Sequence, residues 1–274
     1  MIIREYSLPA GWYPRDSQGV SQFLSNFERQ APYSRAAIAP HAGWYYCGRV
    51  AARAVCALEP QAETVAVIGG HLPSGAPPLL AMEDAVKTPF GPMPIDAELR
   101  DLLQKELNGA EDRFRDNTVE VLLPMVRFFF PNAMLLWLRL PCETSSFEAG
   151  KKIFKAAEKL NRKVNVLGST DLTHYGLNYG FSPKGTGMEA MRWVREVNDA
   201  NFINAVESGK GDEVLRRAEQ DSSACSAGAV LGAMGFAKEA GSGAARLLEY
   251  ATSADINDDD VPESFVGYAA FTFG

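Results

Sequence analysis

Short runs of consecutive apolar residues recur along the chain, separated by longer segments whose apolar positions repeat at three- and four-residue spacing. The runs are Ala36 to Ala39, Thr64 to Ile68, Met134 to Leu140, Lys163 to Leu167, Leu247 to Ala251 and Ser264 to Phe273. They read as strands, and several are apolar on both faces, as a sheet covered on both sides requires. The alternation with helical segments predicts an α/β fold with a central, largely parallel or mixed sheet flanked by helices. Ser145-Ser146-Phe147-Glu148 offers a capping box, after which Phe147, Ile153, Phe154, Ala157 and Leu160 share one helical face. Lys151, Lys152, Lys155 and Lys159 fill the rest of that helix and read as a solvated face. No repeat, linker or low-complexity boundary breaks the pattern, so residues 1–274 read as one domain. Two long loops, Gly69 to Pro78 and Gly176 to Gly187, have the length typical of binding loops.

Composition adds mainly exclusions. With 46% hydrophobic and 22% charged residues, the 274-residue chain can bury a sizeable core and has no segment that composition alone would leave disordered. A net charge of −7 argues against a nucleic-acid partner held by phosphate neutralisation. Much of that charge sits at Asp255, Asp258, Asp259, Asp260 and Glu263, a run without EF-hand spacing that reads as a solvated loop. The four cysteines form no CxxC pair, which points to a reducing compartment. There is no signal-peptide pattern and no apolar stretch of about 18 residues, so the expected location is the cytoplasm, with no membrane partner.

The candidate chemistry lies in the scarce residues. Only three histidines occur, and His41, His71 and His174 each come just after a predicted strand. The carboxyl ends of strands form the edge at which open α/β sheets bind ligands. Asp171 precedes His174 by three residues, and a carboxylate beside an imidazole fixes its tautomer and raises its basicity. Cys225 follows Asp221-Ser222-Ser223-Ala224 and opens a Gly- and Ala-rich helical stretch, where the helix N-terminus favours thiolate. Cys47 and Cys56 flank small apolar residues and read as packing, whereas Cys142, after a strand end, is ambiguous. Lys184-Gly185-Thr186-Gly187 lacks the spacing of a phosphate loop, and there is no GxSxG nucleophile elbow. Taken alone, these residues leave two alternatives: histidines that each brace a turn, or a shared site.

Three stretches carry a family resemblance: APHAGWYYCG at 39–48, STDLTHYGLNYGF at 169–181, and the C-terminal YATSADI with FVGYAAF. They resemble the Memo family, also named as protein B of the AmmeMemoRadiSam system. Weaker matches at AGWYP, at TPFG to ID and at TVEVLLP follow in the same order, so the likeness spans essentially the whole chain. It implies a fold similar to class III extradiol dioxygenases, whose site holds a non-haem iron. It also implies two histidines and a cysteine as metal ligands, here His41, His71 and Cys225, with Asp171 and His174 as nearby groups that move protons. Most members have GPSHH where this chain has Gly69-Gly70-His71-Leu72-Pro73. They carry a histidine and a serine where it has Asp116-Asn117, and a glycine where it has Ser226. These departures leave two alternatives, an active site or a degenerate one.

Two imidazoles and a thiolate suit iron or copper, with zinc as a further choice, better than magnesium or calcium. The implied function is a metal-dependent redox or oxygen-linked enzyme acting on a small-molecule substrate. The alternatives are a non-catalytic protein that recognises a short peptide through the same cleft, and metal sequestration.

Overall fold

The computed structural model describes residues 1–256 and 262–274. Asp258, Asp259 and Asp260 of the acidic run lie outside the described residues; Asp255 is described and pairs with Arg195. The central sheet contains β1 (Ala36–Ala39), β2 (Thr64–Leu72), β3 (Leu79–Leu80), β4 (Ala110–Glu111), β5 (Met134–Pro141), β6 (Val164–Ser169), β7 (His174–Gly176), β8 (Ala245–Thr252) and β9 (Ser264–Phe273). Its order is β7-β9-β1-β6-β2-β5-β3-β4, with β8 also paired to β9. The four middle strands, β1, β6, β2 and β5, are mutually parallel, while β9 runs antiparallel to β1, β7 and β8, and β3 antiparallel to β5. The sheet is therefore mixed, as expected.

Alternation along the middle strands divides the core into two layers. Ile38, Ala66, Ile68, Leu136, Leu138 and Val166 face one layer. Ala37, Val65, Val67, Leu135, Trp137 and Leu167 face the other. Burial on both faces is why these strands lack polar alternation. The first layer is covered by α2 (Ser145–Lys159) and α3 (Ala227–Glu239), the second by α1 (Trp44–Cys56). Residues 227–237 of α3 are all buried, which explains why that helix is apolar all round. Among the described residues, no helix is long and apolar enough to cross a membrane.

Several local expectations are corrected. The helix from Ser145 is N-capped by Thr144, whose own backbone is already helical, and it makes no side-chain cap contact. Ser145 lies inside the first turn, where it cannot cap, and its hydroxyl donates to Glu143 instead. The expected apolar face is present around Ile153 and Ala157, and the lysines stay on the outside, Lys151 against Glu148 and Lys155 against Glu239. The loop expected from Gly69 is strand as far as Leu72. A separate three-stranded sheet of Ile3–Arg4, Ala85–Val86 and Met93–Pro94 was not expected, since two-residue strands carry no readable period.

Helices α2 and α3 approach backbone to backbone. A Cβ on Gly150 would stand 2.0 Å from the Gly232 carbonyl oxygen and 2.7 Å from the Phe236 nitrogen, and one on Gly235 would stand 1.9 Å from the Phe147 oxygen. One on Gly228 would meet the Pro141 oxygen at 2.1 Å, so the first turn of α3 rests directly on the end of β5. Alanine at Gly150 would gain about 1 kcal/mol of helix propensity against up to about 3 kcal/mol of overpacking. Gly150→Ala is expected to lower stability by about 2 kcal/mol, read as a reduced urea midpoint with unchanged slope; a raised midpoint would contradict the packing.

Candidate metal centre

The parallel register brings the site together. Ala39 pairs with Ser169, and Ile68 pairs with Gly168, so β1 and β6 end at one level, where the pairing of β2 with β6 also stops although β2 runs on to Leu72. His41, Asp171 and His71 each lie two residues beyond that level. Thr170 N donates to the Ala39 carbonyl at 2.9 Å and Leu172 N to Gly267 at 2.8 Å, fixing the loop after β6 against its neighbours. Further along that loop, fully buried Asp199 accepts from Thr173 N at 3.1 Å and from the Tyr250 hydroxyl at 2.7 Å, just before His174. Burial pushes the Asp199 carboxyl up to about 6, despite those donors.

Cys225 reaches the same point from the opposite direction, two residues before α3. Its N–H donates to the Asp171 carbonyl at 3.2 Å, and Ser226 N donates to Thr170 Oγ1 at 3.2 Å. His41, 1% exposed, is held on three sides. Its N–H donates to Asp171 Oδ1 at 2.7 Å, its Nδ1 meets Ser169 Oγ at 2.8 Å, and its carbonyl accepts from Asn117 Nδ2 at 2.9 Å. Nε2 is thereby left facing Cys225 Sγ at 3.2 Å. His71 stands edge-on to His41, ring centroids 5.0 Å apart, with its Nδ1 3.0 Å from Asp116 Oδ2. Its backbone sits at φ 57°, a left-handed conformation that costs a non-glycine residue energy and tends to be kept where function needs it.

His41, His71 and Cys225 each offer a ligand atom within 4.8 Å of the other two, a grouping one metal ion could bridge. His174 completes the surroundings. Its Nε2 lies 3.9 Å from Asp171 Oδ2, is buried and has no hydrogen-bond partner among the described residues. Asp171 Oδ2 is also 4.0 Å from His41 Nε2, so this carboxylate sits between two imidazoles.

The electrostatics favour the thiolate. Burial opposes the Cys225 anion, but His41, His174 and His71 overcome it and hold the thiol well below its ordinary value. In return, against burial, Asp171 and Cys225 raise His41, and Asp116 and Cys225 push His71 up to about 10. Burial raises Asp171 itself, and the Cys225 charge adds to that. The other cysteines behave oppositely: burial pushes the thiols of Cys47, Cys56 and Cys142 up, and none belongs to the grouping of His41, His71 and Cys225.

A cleft of about 740 Å³ opens over the histidines, walled by Trp12, Tyr46, Tyr179 and Tyr268. No lysine or arginine lines it among the described residues.

A family profile described as Memo-like protein matches residues 4–272. The chain belongs to the Memo family. Similar relatives are MEMO1 family proteins of Methanococcoides burtonii, 30% identical over 85% of this chain and 84% of that one, and of Methanosarcina mazei, 28% identical over 98% of each. A solved structure of an uncharacterized protein from Escherichia coli K12 aligns at 10% identity over 86% of this chain and 99% of that one, with a TM-score of 0.48.

In this Memo family member, the sequence departures fall inside the site. The single histidine of GGHLP still reaches His41 and Cys225. Asp116 and Asn117 both bond to site histidines, one to the His71 ring and the other to the His41 carbonyl. Ser169 and Arg139 also belong to the surroundings and were not picked out from the sequence. Ser169 is the first residue of the stretch STDLTHYGLNYGF, and Arg139 is the one charge inside the apolar run Met134 to Leu140, a residue type almost never buried unless paired.

A thiol held well below its ordinary value stays ionised further toward acid than a free one, so its reactivity should track pH less steeply. In metal-free protein the alkylation rate of Cys225 is expected to rise less from weakly acidic to weakly basic pH than that of an ordinary thiol, which speeds up roughly tenfold per unit below its pKa. Timed iodoacetamide labelling read by mass spectrometry checks this, with Cys142 as the internal reference; an ordinary thiol profile at Cys225 would contradict the assigned charge state.

Proposed function

We propose that the protein is a metal-dependent redox enzyme acting on a small organic molecule held in the cleft, with His41, His71 and Cys225 as metal ligands. The convergence of those three side chains, two of which, His41 and His71, line the cleft, carries this reading. The donor set fits the group: one sulfur and two imidazoles are a soft set, and each imidazole has its Nδ1 engaged by a protein oxygen, the arrangement that usually orients metal-binding histidines. Iron or copper bound there would supply one-electron and oxygen chemistry, and zinc would supply Lewis acidity.

The surrounding residues have their own tasks. His174 Nε2, without a hydrogen-bond partner among the described residues, can take up a proton without breaking such a contact. Asp171 Oδ2, nearly equidistant from His174 and His41, stabilises the positive charge that such uptake creates. Its Oδ1 meanwhile holds the His41 backbone, so the carboxylate couples orientation of a ligand to proton movement. The aromatic walls offer ring faces and edges to a planar or apolar group.

Two variants separate binding from chemistry. His41→Ala should lower metal affinity by at least about 10–100-fold, the range for losing even an orienting partner. Asp171→Asn keeps an acceptor for the His41 N–H, so metal content should be retained while turnover falls about 10²–10⁴-fold. Native mass spectrometry reports the metal, and oxygen consumption with small phenols and catechols reports turnover. In the wild type, added metal should protect Cys225 alone from alkylation. Full occupancy in His41→Ala would overturn the ligand set; full occupancy of the wild type with no turnover across a broad screen would overturn the enzymatic part.

A further inference from the structure

Outside the ligands and the proton-moving pair lies a buried charged cluster, of which the mechanism above uses only the contact of Asp116 with the His71 ring. Arg139 projects from β5, 3% exposed, beside the end of β2, where Gly69 is its strand partner. Its guanidinium spans three acceptors: Nε donates to the Gly70 carbonyl at 3.0 Å, Nη1 to Asp112 Oδ1 at 3.3 Å and Nη2 to Asp116 Oδ2 at 3.2 Å. Asp112 is itself fixed, accepting from Trp137 Nε1 at 2.8 Å. Asp116 has both oxygens committed. Oδ1 accepts from the N–H of Thr118 at 2.9 Å and from its hydroxyl, and Oδ2 takes Arg139 and His71 Nδ1. A carboxylate gripped this way has one orientation, and it presents a fixed acceptor to His71 at 3.0 Å.

We propose that Asp116, clamped by Arg139, is a positioning residue that fixes the His71 ring with Nδ1 protonated and turned away, so that Nε2 is the atom offered to Cys225 and to an ion held there. The same clamp acts on both sides of His71. Arg139 holds the carbonyl of Gly70, the residue before it, while Asp116 holds its ring. That double grip accounts for a histidine kept at φ 57°. A Cβ on Gly70 would stand 2.4 Å from Ser226 Cβ, so the backbone there has no room to relax toward a different ring placement. Guanidinium geometry is essential to the clamp, because three acceptors in different directions need a planar fork rather than a point charge.

This inference rests on His71 being a ligand, and the test keeps the two apart. Zinc is the probe, since it is diamagnetic, and the chain's three histidines give a simple ring spectrum. In zinc-loaded wild type the His71 Nδ1–H should appear as a protected, downfield resonance, assigned by its loss in His71→Gln. Asp116→Asn should weaken zinc binding about 10–100-fold, measured by competition with a chromophoric chelator, and should remove or shift that resonance. Asp116→Ser keeps a capping oxygen for Thr118 but offers nothing to His71, and should do the same. A merely structural carboxylate would lower the melting temperature of these variants and leave the affinity of the folded protein and the His71 resonance unchanged. That result would overturn the inference while leaving the metal reading intact. Failure of the wild type to bind zinc would overturn the metal reading, and this one with it.

Discussion

Parallel pairing of β1 with β6 and of β6 with β2 levels the ends of β1 and β6 with Gly69 of β2, and the site depends on that level line. A shift of the β2 register by one residue would turn its apolar positions to the wrong layers and would carry His71 out of reach of Cys225. Register is strongly fixed here because each strand is buried on both faces, so either slip direction would expose one apolar layer and crowd the other. The stability of the core and the geometry of the site thus have one cause. The cysteine arrives by another route, through a helix seated by glycine contacts so close that its first turn has no room to slide along the end of β5.

Charge then decides what the converged side chains are. A half-buried thiolate beside a buried carboxylate would be costly alone, and three imidazoles offset it. Ligands must shed protons to bind a cation: the thiol is held low for that, whereas the raised imidazoles of His41 and His71 keep protons that a metal would displace. Arg139 and Asp112 form a second, separate balance of buried charge, and Asp116 links it to the first.

Much of this was legible beforehand, for physical reasons. Strands buried on both faces announce themselves as unbroken apolar runs, and a residue just past such a run is at the carboxyl edge wherever the strand falls in the sheet. That logic reached His41, His71, Asp171 and His174 without knowledge of strand order. Cys225 needed the family resemblance, because nothing local says where the start of a distant helix will dock. Asp116 was visible only as a departure, since its meaning depends on Arg139, 23 positions away in sequence and adjacent only after β2 and β5 pair. The left-handed backbone of His71 and the glycine seam between α2 and α3 are tertiary features with no local sign. The capping box failed because the chain already enters that helix in helical conformation at Thr144, one residue earlier than the motif assumes.

The central claim is that loops from separate strands and a helix start together hold one metal through sulfur and nitrogen. X-ray absorption of the metal-loaded protein tests it most directly. With zinc, the account predicts one sulfur near 2.3 Å and imidazole nitrogens near 2.0–2.1 Å, with the sulfur shell lost in Cys225→Ser. A shell of oxygen and nitrogen without sulfur in the wild type would contradict it.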